Sequence, residues 1–147
     1  MQIQIAKKKY ELYLGFDFIR YLDKQHELDT GLGIAFGVGV GQVMAQLEAG
    51  NPLGILSVIE AGTCTLPDEE RPTEKDVEKL IEETSKKGEL DKLFFDFKEL
   101  LKTSPMTTQA LTGYQSILDT FQQLVTIGMQ ELKKEQTENQ APIPTGS

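Results

Sequence analysis

The chain has 147 residues, with 15 Lys or Arg against 23 Asp or Glu and a formal charge of −8. That length suits one domain with a single core, and at 39% hydrophobic and 26% charged the composition is that of an ordinary globular protein. The acidic balance argues against binding a nucleic-acid backbone, which needs clustered cations to displace counterions, and Lys7-Lys8-Lys9 is the one dense basic run. No signal-length apolar run opens the chain and none reaches the roughly 20 residues of a membrane span, so a cytoplasmic protein without membrane attachment is expected. A lone Cys64 and a lone His26 cannot build an internal disulfide or complete a zinc site. Cys64 is expected as a small buried hydrophobe and His26 as a surface residue near a helix end, and no metal or cofactor is expected.

In chain order, Ile3 and Ile5 alternate with Gln2 and Gln4, and Tyr10, Leu12 and Leu14 resume the period-2 pattern after Ala6-Lys7-Lys8-Lys9. This predicts a β-hairpin, which must pack on helices or on further strands to be stable. Gly15 breaks the second strand. Phe16, Ile19 and Leu22 then recur at helical spacing, with Asp17, Arg20, Asp23 and Lys24 on the other side, predicting an amphipathic helix over 16–26.

The segment from Gly31 to Gly41 reads GLGIAFGVGVG. It has neither the G-x-G-x-x-G spacing nor the Walker pattern of a phosphate loop, and Gln42 and Gln46 interrupt it as a membrane span. The remaining reading is a buried helix on which Gly33, Gly37 and Gly41 share one stripe and admit another backbone closely. Each glycine costs about 1 kcal/mol in a helix interior relative to alanine, which close packing must offset.

Asn51-Pro52 predicts a helix start, with Asn51 as N-cap and Pro52 at the first position. Leu53, Leu56, Ile59 and Val58 are its expected buried face, and Gly62 its end. The acidic connection 66–72 lacks an EF-hand pattern. Thr73 and Asp76 resemble a capping box opening a helix with Val77, Leu80 and Ile81 inward, ended by Gly88. A further helix over 89–103 carries Leu90, Leu93, Phe94, Phe97, Leu100 and Leu101 on one stripe. Phe95 falls outside that stripe, as a second core contact or as an aromatic facing a partner. After Ser104-Pro105 a last helix over 108–132 has Leu111, Tyr114, Leu118, Phe121, Val125, Gly128 and Leu132 alternately three and four apart. Such a seam fits a wall of the core or a coiled-coil contact. From 133 the apolar periodicity stops, so one globular domain over 1–132 and a flexible tail over 133–147 are expected. The fold class is therefore α+β, mostly helical: an N-terminal hairpin on five or six helices.

No nucleophile elbow, H-E-x-x-H or C-x-x-C motif occurs, and the carboxylates fall on solvent faces, so a non-enzymatic interaction protein is expected. The run Lys9-Tyr-Glu-Leu-Tyr-Leu-Gly-Phe-Asp-Phe-Ile-Arg-Tyr-Leu-Asp-Lys24, the Gly-rich helix, Asn51-Pro52-Leu53, the Pro72-Thr-Glu-Lys-Asp-Val77 start and the acidic Leu/Phe helix follow one another in a fixed order. In that succession residues 1–105 resemble the tail assembly chaperones of long-tailed phages and prophages of Gram-positive bacteria.

The resemblance implies a protein that coats the apolar, helical tape measure protein before the tail tube forms around it, and that is then displaced in the host cytoplasm and absent from the virion. It also implies a longer form made by ribosomal frameshift, for which Lys133-Lys134 is a suitable junction, and contact with the tail tube protein. Self-assembly into a ring or open spiral is expected, because a heterologous contact repeats unless it closes. The expected contact residues are Phe94, Phe95 and Phe97, with Gly33, Gly37 and Gly41. Met44, Met106 and Met129 fit either adaptable binding or the core. The competing reading is a small head–tail or tail completion protein retained in the particle; a nucleotide-binding regulator using the Gly-rich segment is a third.

Overall fold

A computed structural model describes residues 1–26 and 37–139. The elements are strands β1 (Gln2–Ile5) and β2 (Lys8–Glu11) and helices α1 (Phe16–Gln25), α2 (Val38–Glu48), α3 (Pro52–Gly62), α4 (Glu74–Lys86), α5 (Leu90–Thr103) and α6 (Pro105–Asn139), with a 3-10 turn at Asp68–Glu70. They form two compact units, Met1–Tyr114 and Gln115–Ser147. The expected α+β class, a hairpin with six helices, is what the chain adopts.

The hairpin is antiparallel, with Ile3 opposite Tyr10 and Ile5 opposite Lys8. Its two-residue turn holds Ala6 at φ 51° and Lys7 at φ 66°, the paired positive φ whose twist matches that of the strands. The second strand stops at Glu11, short of the predicted Leu14. Leu12 instead donates its N–H to the Met1 carbonyl at 2.9 Å, and Tyr13 donates to the carbonyl of Gly62 at 2.9 Å. The first bond closes the open end of the hairpin, the second fastens it to the end of α3, and Ile3, Ile5, Tyr10 and Leu12 enter the core.

Helix α1 turns Phe18, Ile19 and Leu22 inward. Phe16, predicted inward, is 55% exposed under the Arg20 guanidinium, 5.6 Å from its ring centroid. The reason is geometric: residues 18, 19 and 22 lie three and four apart on one helical face, and that face excludes position 16.

Helix α2 begins at Val38, later than the Gly-rich pattern suggested, because Gly37 is its N-cap at φ 89° rather than an interior residue. Such a φ suits glycine, which has no Cβ to clash. Asp23, expected toward solvent, reaches from α1 to accept the N–H groups of Gly37 at 3.0 Å and Gly39 at 2.9 Å. One carboxylate thus satisfies two orphan donors at a helix start, where a negative charge is also favoured. Asp23→Ala is expected to lower stability by about 1–2 kcal/mol. A urea midpoint unchanged from the wild type would refute this capping role.

Helix α2 meets α1, α3 and α5, and Val40, Val43 and Leu47 are fully buried or nearly so. Gly39 lies against the backbone of α1. Asn51 caps α3 as expected, its side chain accepting the Leu53 N–H at 3.0 Å, and Thr73 caps α4 by accepting from Asp76 N at 3.2 Å. Gly88, at φ 71°, follows the end of α4. Buried Thr107 donates to the Leu101 carbonyl at 2.6 Å and ties the α5–α6 turn. Helix α6 starts three residues before the expected position and continues past 132 to Asn139, because Lys, Glu and Gln have good helix propensity and need no apolar face to continue a helix.

Candidate protein-interaction site

Helix α3 is apolar on almost every side. Its inward residues are Ile55, Val58 and Ile59, which leaves Leu53 and Leu56, both expected in the core, on a flank. Leu53 is 58% exposed, and Leu56 is half-buried against the core edge. Helix α4 lies alongside, and its Ile81 projects toward the same flank. Pro52, Leu53, Leu56, Ile81 and Leu90 form the apolar floor of an open groove of about 490 Å³, with Glu78, Glu82, Ser85 and Lys86 at its sides. A groove of this kind accepts one face of an amphipathic or apolar helix. The sequence carries a signal for it: α3 has more apolar residues than one buried face can use, and a helix apolar all round must be covered all round.

The expected contact residues are distributed differently. Phe94 and Phe97 are buried in the core, fixed there by the stripe spacing of α5, whereas Phe95 is 57% exposed. This exposure overturns the reading of Phe95 as a second core contact. Gly33 lies outside the described residues. Gly37, as the N-cap, lies outside the helical run of α2, so the predicted interior stripe does not form, but Gly37 and Gly41 both approach α6. A Cβ on Gly37 would lie 2.9 Å from Ala110, and one on Gly41 would strike the Tyr114 ring. Their close approach is therefore internal to the first unit. Met44 is buried and Met106 half-buried against the core, whereas Met129 is exposed.

A second, shallower depression of about 670 Å³ is lined by Asp17, Arg20, Tyr21, Asp23, Lys24, Cys64 and Thr65. Cys64 is half-buried and unpaired. Burial, then the Asp17 carboxylate, push its thiol above the ordinary cysteine range, and Arg71 opposes them. Burial, then Glu60, raise Tyr21 likewise, whose hydroxyl donates to Glu60 Oε2 at 3.5 Å. Both groups are held neutral in the fold, so their contribution to stability is full below their unfolded pKa values and is lost as pH rises through the folded ones. Cys64 should accordingly react with a disulfide reagent more slowly in the native protein than in urea between pH 7 and 9. A native rate equal to the unfolded one would contradict this.

No helix among the described residues is long and apolar enough to cross a membrane, and no group of three or more His, Cys, Asp or Glu among them is placed to hold a metal ion. Residues 2–115 match the family model described as phage tail assembly chaperone protein, TAC. No curated protein matches the chain, and no solved structure does. The groove lies wholly within the matched residues.

Proposed function

Because this chain belongs to the phage tail assembly chaperone family, we propose that it coats the tape measure protein of a long-tailed phage or prophage of a Gram-positive host. It does so without catalysis, and leaves before the tail is finished. The observation that carries this reading is the apolar α3–α4 groove. Its floor of Leu53, Leu56, Ile81 and Leu90 suits successive turns of a long apolar helix. Each contact is weak, and many copies along one partner supply avidity while leaving each copy easy to displace. Copies associate as a ring or open spiral around the partner, joined by a longer frameshifted form and handed on to the tail tube protein, all in the host cytoplasm. Phe95 on α5 is a further contact of the same surface chemistry.

Co-expression with the tape measure protein, followed by solubility measurement and pull-down, tests the reading. The wild-type chain should keep the partner soluble and co-purify with it. Leu53→Asp should fold normally, because Leu53 is largely exposed, yet lose at least about tenfold in capture, equivalent to roughly 1.4 kcal/mol. Undiminished capture by folded Leu53→Asp would move the site elsewhere. Absence of capture by the wild type would reject tape-measure binding by this form. Detection of the chain in purified virions by mass spectrometry would instead favour a retained head–tail or tail completion component.

A further inference from the structure

We infer that α6 beyond residue 115 is an association element that bundles with the same helix of other copies of this chain, more than two at a time. Four observations point there.

The first is the pattern. Leu118, Val125 and Leu132 occupy one seam position and Phe121 and Gly128 the other, but Leu124 widens the face beside them. Leu118, Phe121, Leu124, Val125 and Leu132 are all exposed within their unit, Phe121 at 66%. Two-stranded pairing covers only a narrow seam, whereas a face widened by one further position per heptad is the pattern of helices that face the core of a larger bundle.

The second is intrinsic stability. Residues 115–130 contain no Lys or Arg, so no ion pair supports the helix there. They also hold Gly128 and five β-branched residues, Ile117, Thr120, Val125, Thr126 and Ile127. A helix of that composition is marginal in water unless its face is packed.

The third concerns the choice of partner. In helical bundles, charges flanking the seam select among different partners. Here the only charged residue between 105 and 130 is Asp119, on the side away from the seam, where its carboxylate accepts from Gln115 Nε2 at 2.9 Å. With no charge code for a foreign helix, and little charge to repel a like one in a chain of net charge −8, the identical helix of another copy is the matching surface. The fourth is area. The exposed apolar side chains present on the order of several hundred Å² per chain, comparable with the roughly 800 Å² each partner contributes to a stable interface.

The inference does not depend on the tape-measure reading, and the test omits that partner. Sedimentation velocity and hydrogen exchange on the full chain alone, across a concentration series, are compared with Phe121→Gln/Val125→Gln. Both substituted residues are exposed within their unit, so the thermal transition of residues 1–114 should be retained and marks a folded variant. The expected result is an assembly of more than two chains whose amides over 117–132 are protected at least tenfold more than in the variant or on dilution. Unprotected amides over 117–132 at every concentration would overturn the proposal and assign the face to another protein. A species of two chains would overturn the bundle. Protection that extends to 52–62 and 78–90 and disappears in Leu53→Asp would also overturn it, by showing that α6 seats in the α3–α4 groove of a neighbour.

Discussion

Gly39→Val is expected to destabilise the fold by about 3 kcal/mol or more, a large share of the roughly 5–15 kcal/mol typical of a domain. At this position α2 crosses α1 with no room for a side chain. A Cβ would collide with the carbonyl carbon and oxygen of Leu22 and lie 2.6 Å from Asp23 N. These atoms belong to the backbone of a regular helix and cannot rotate aside. Ordinary overpacking of a core costs about 1–3 kcal/mol. Here relief also requires the helices to part, which pulls the Asp23 carboxylate away from the N–H groups it caps. Gly113, in α6, is the control, because a Cβ there meets nothing within 4 Å. Gly113→Ala should gain up to about 1 kcal/mol from helix propensity alone. Urea unfolding measures both, and an unchanged slope would keep the comparison one of stability. A Gly39→Val midpoint close to the wild type would show that the two backbones do not approach this closely.

Phe97→Ala should cost about 3–5 kcal/mol, and Phe95→Ala less than about 0.5 kcal/mol. Two positions along α5 point to opposite sides of the helix. Phe97 is fully buried, packed in the same cluster as Leu101 and the core residues of α2 and α3, whereas Phe95 is 57% exposed. Removing the Phe97 ring leaves a cavity that the surrounding helices can close only in part. Removing the Phe95 ring leaves a surface. In a unit of this size each kcal/mol shifts the thermal midpoint by roughly 4 °C, so the two variants separate clearly in a melting experiment. Equal destabilisation would overturn the assignment of the α5 faces. If Phe95 serves the tape measure partner, its loss should weaken capture while leaving the melting temperature in place.

The sequence did not locate the candidate site: Phe94, Phe95, Phe97, Gly37 and Gly41 all lie outside the lining of the groove, and Gly33 lies outside the described residues. The stripe of α5 leaves position 95 out, which admits either a second core contact or a partner-facing aromatic; that Phe95 is exposed was decided by which neighbours pack on α5, not by the periodicity within it. The groove is hidden from the sequence because hydrophobicity alone places Leu53 and Leu56 in the core, whereas Leu53 is exposed and Leu56 half-buried. A helix as apolar as α3 has more candidates for burial than its neighbours have room to cover, and the sequence of that helix alone does not say which ones lose. Phe16 and Phe18 present the same difficulty at the start of α1: both are large and aromatic, and the helix phase that decides between them depends on the residue at which the first turn begins.

By itself the sequence determined the elements and their punctuation: the hairpin, the Asn51 and Thr73 caps, the break at Ser104-Pro105, and the Val77 and Phe94/Phe97/Leu101 faces. These rest on local chemistry, namely dihedral preference, capping and period, which acts within a few residues. The ordered succession of those elements also carried the resemblance to tail assembly chaperones. Only the tertiary structure decided the rest. It turned Gly37 into a cap rather than an interior residue and set Gly39 against the α1 backbone. It brought Asp23 across to a helix fourteen residues away, opened the groove between α3 and α4, and divided one continuous helix, α6, between two units. Each of these depends on which surfaces meet, and close packing between segments distant along the chain is a property of the assembled volume that no local pattern encodes.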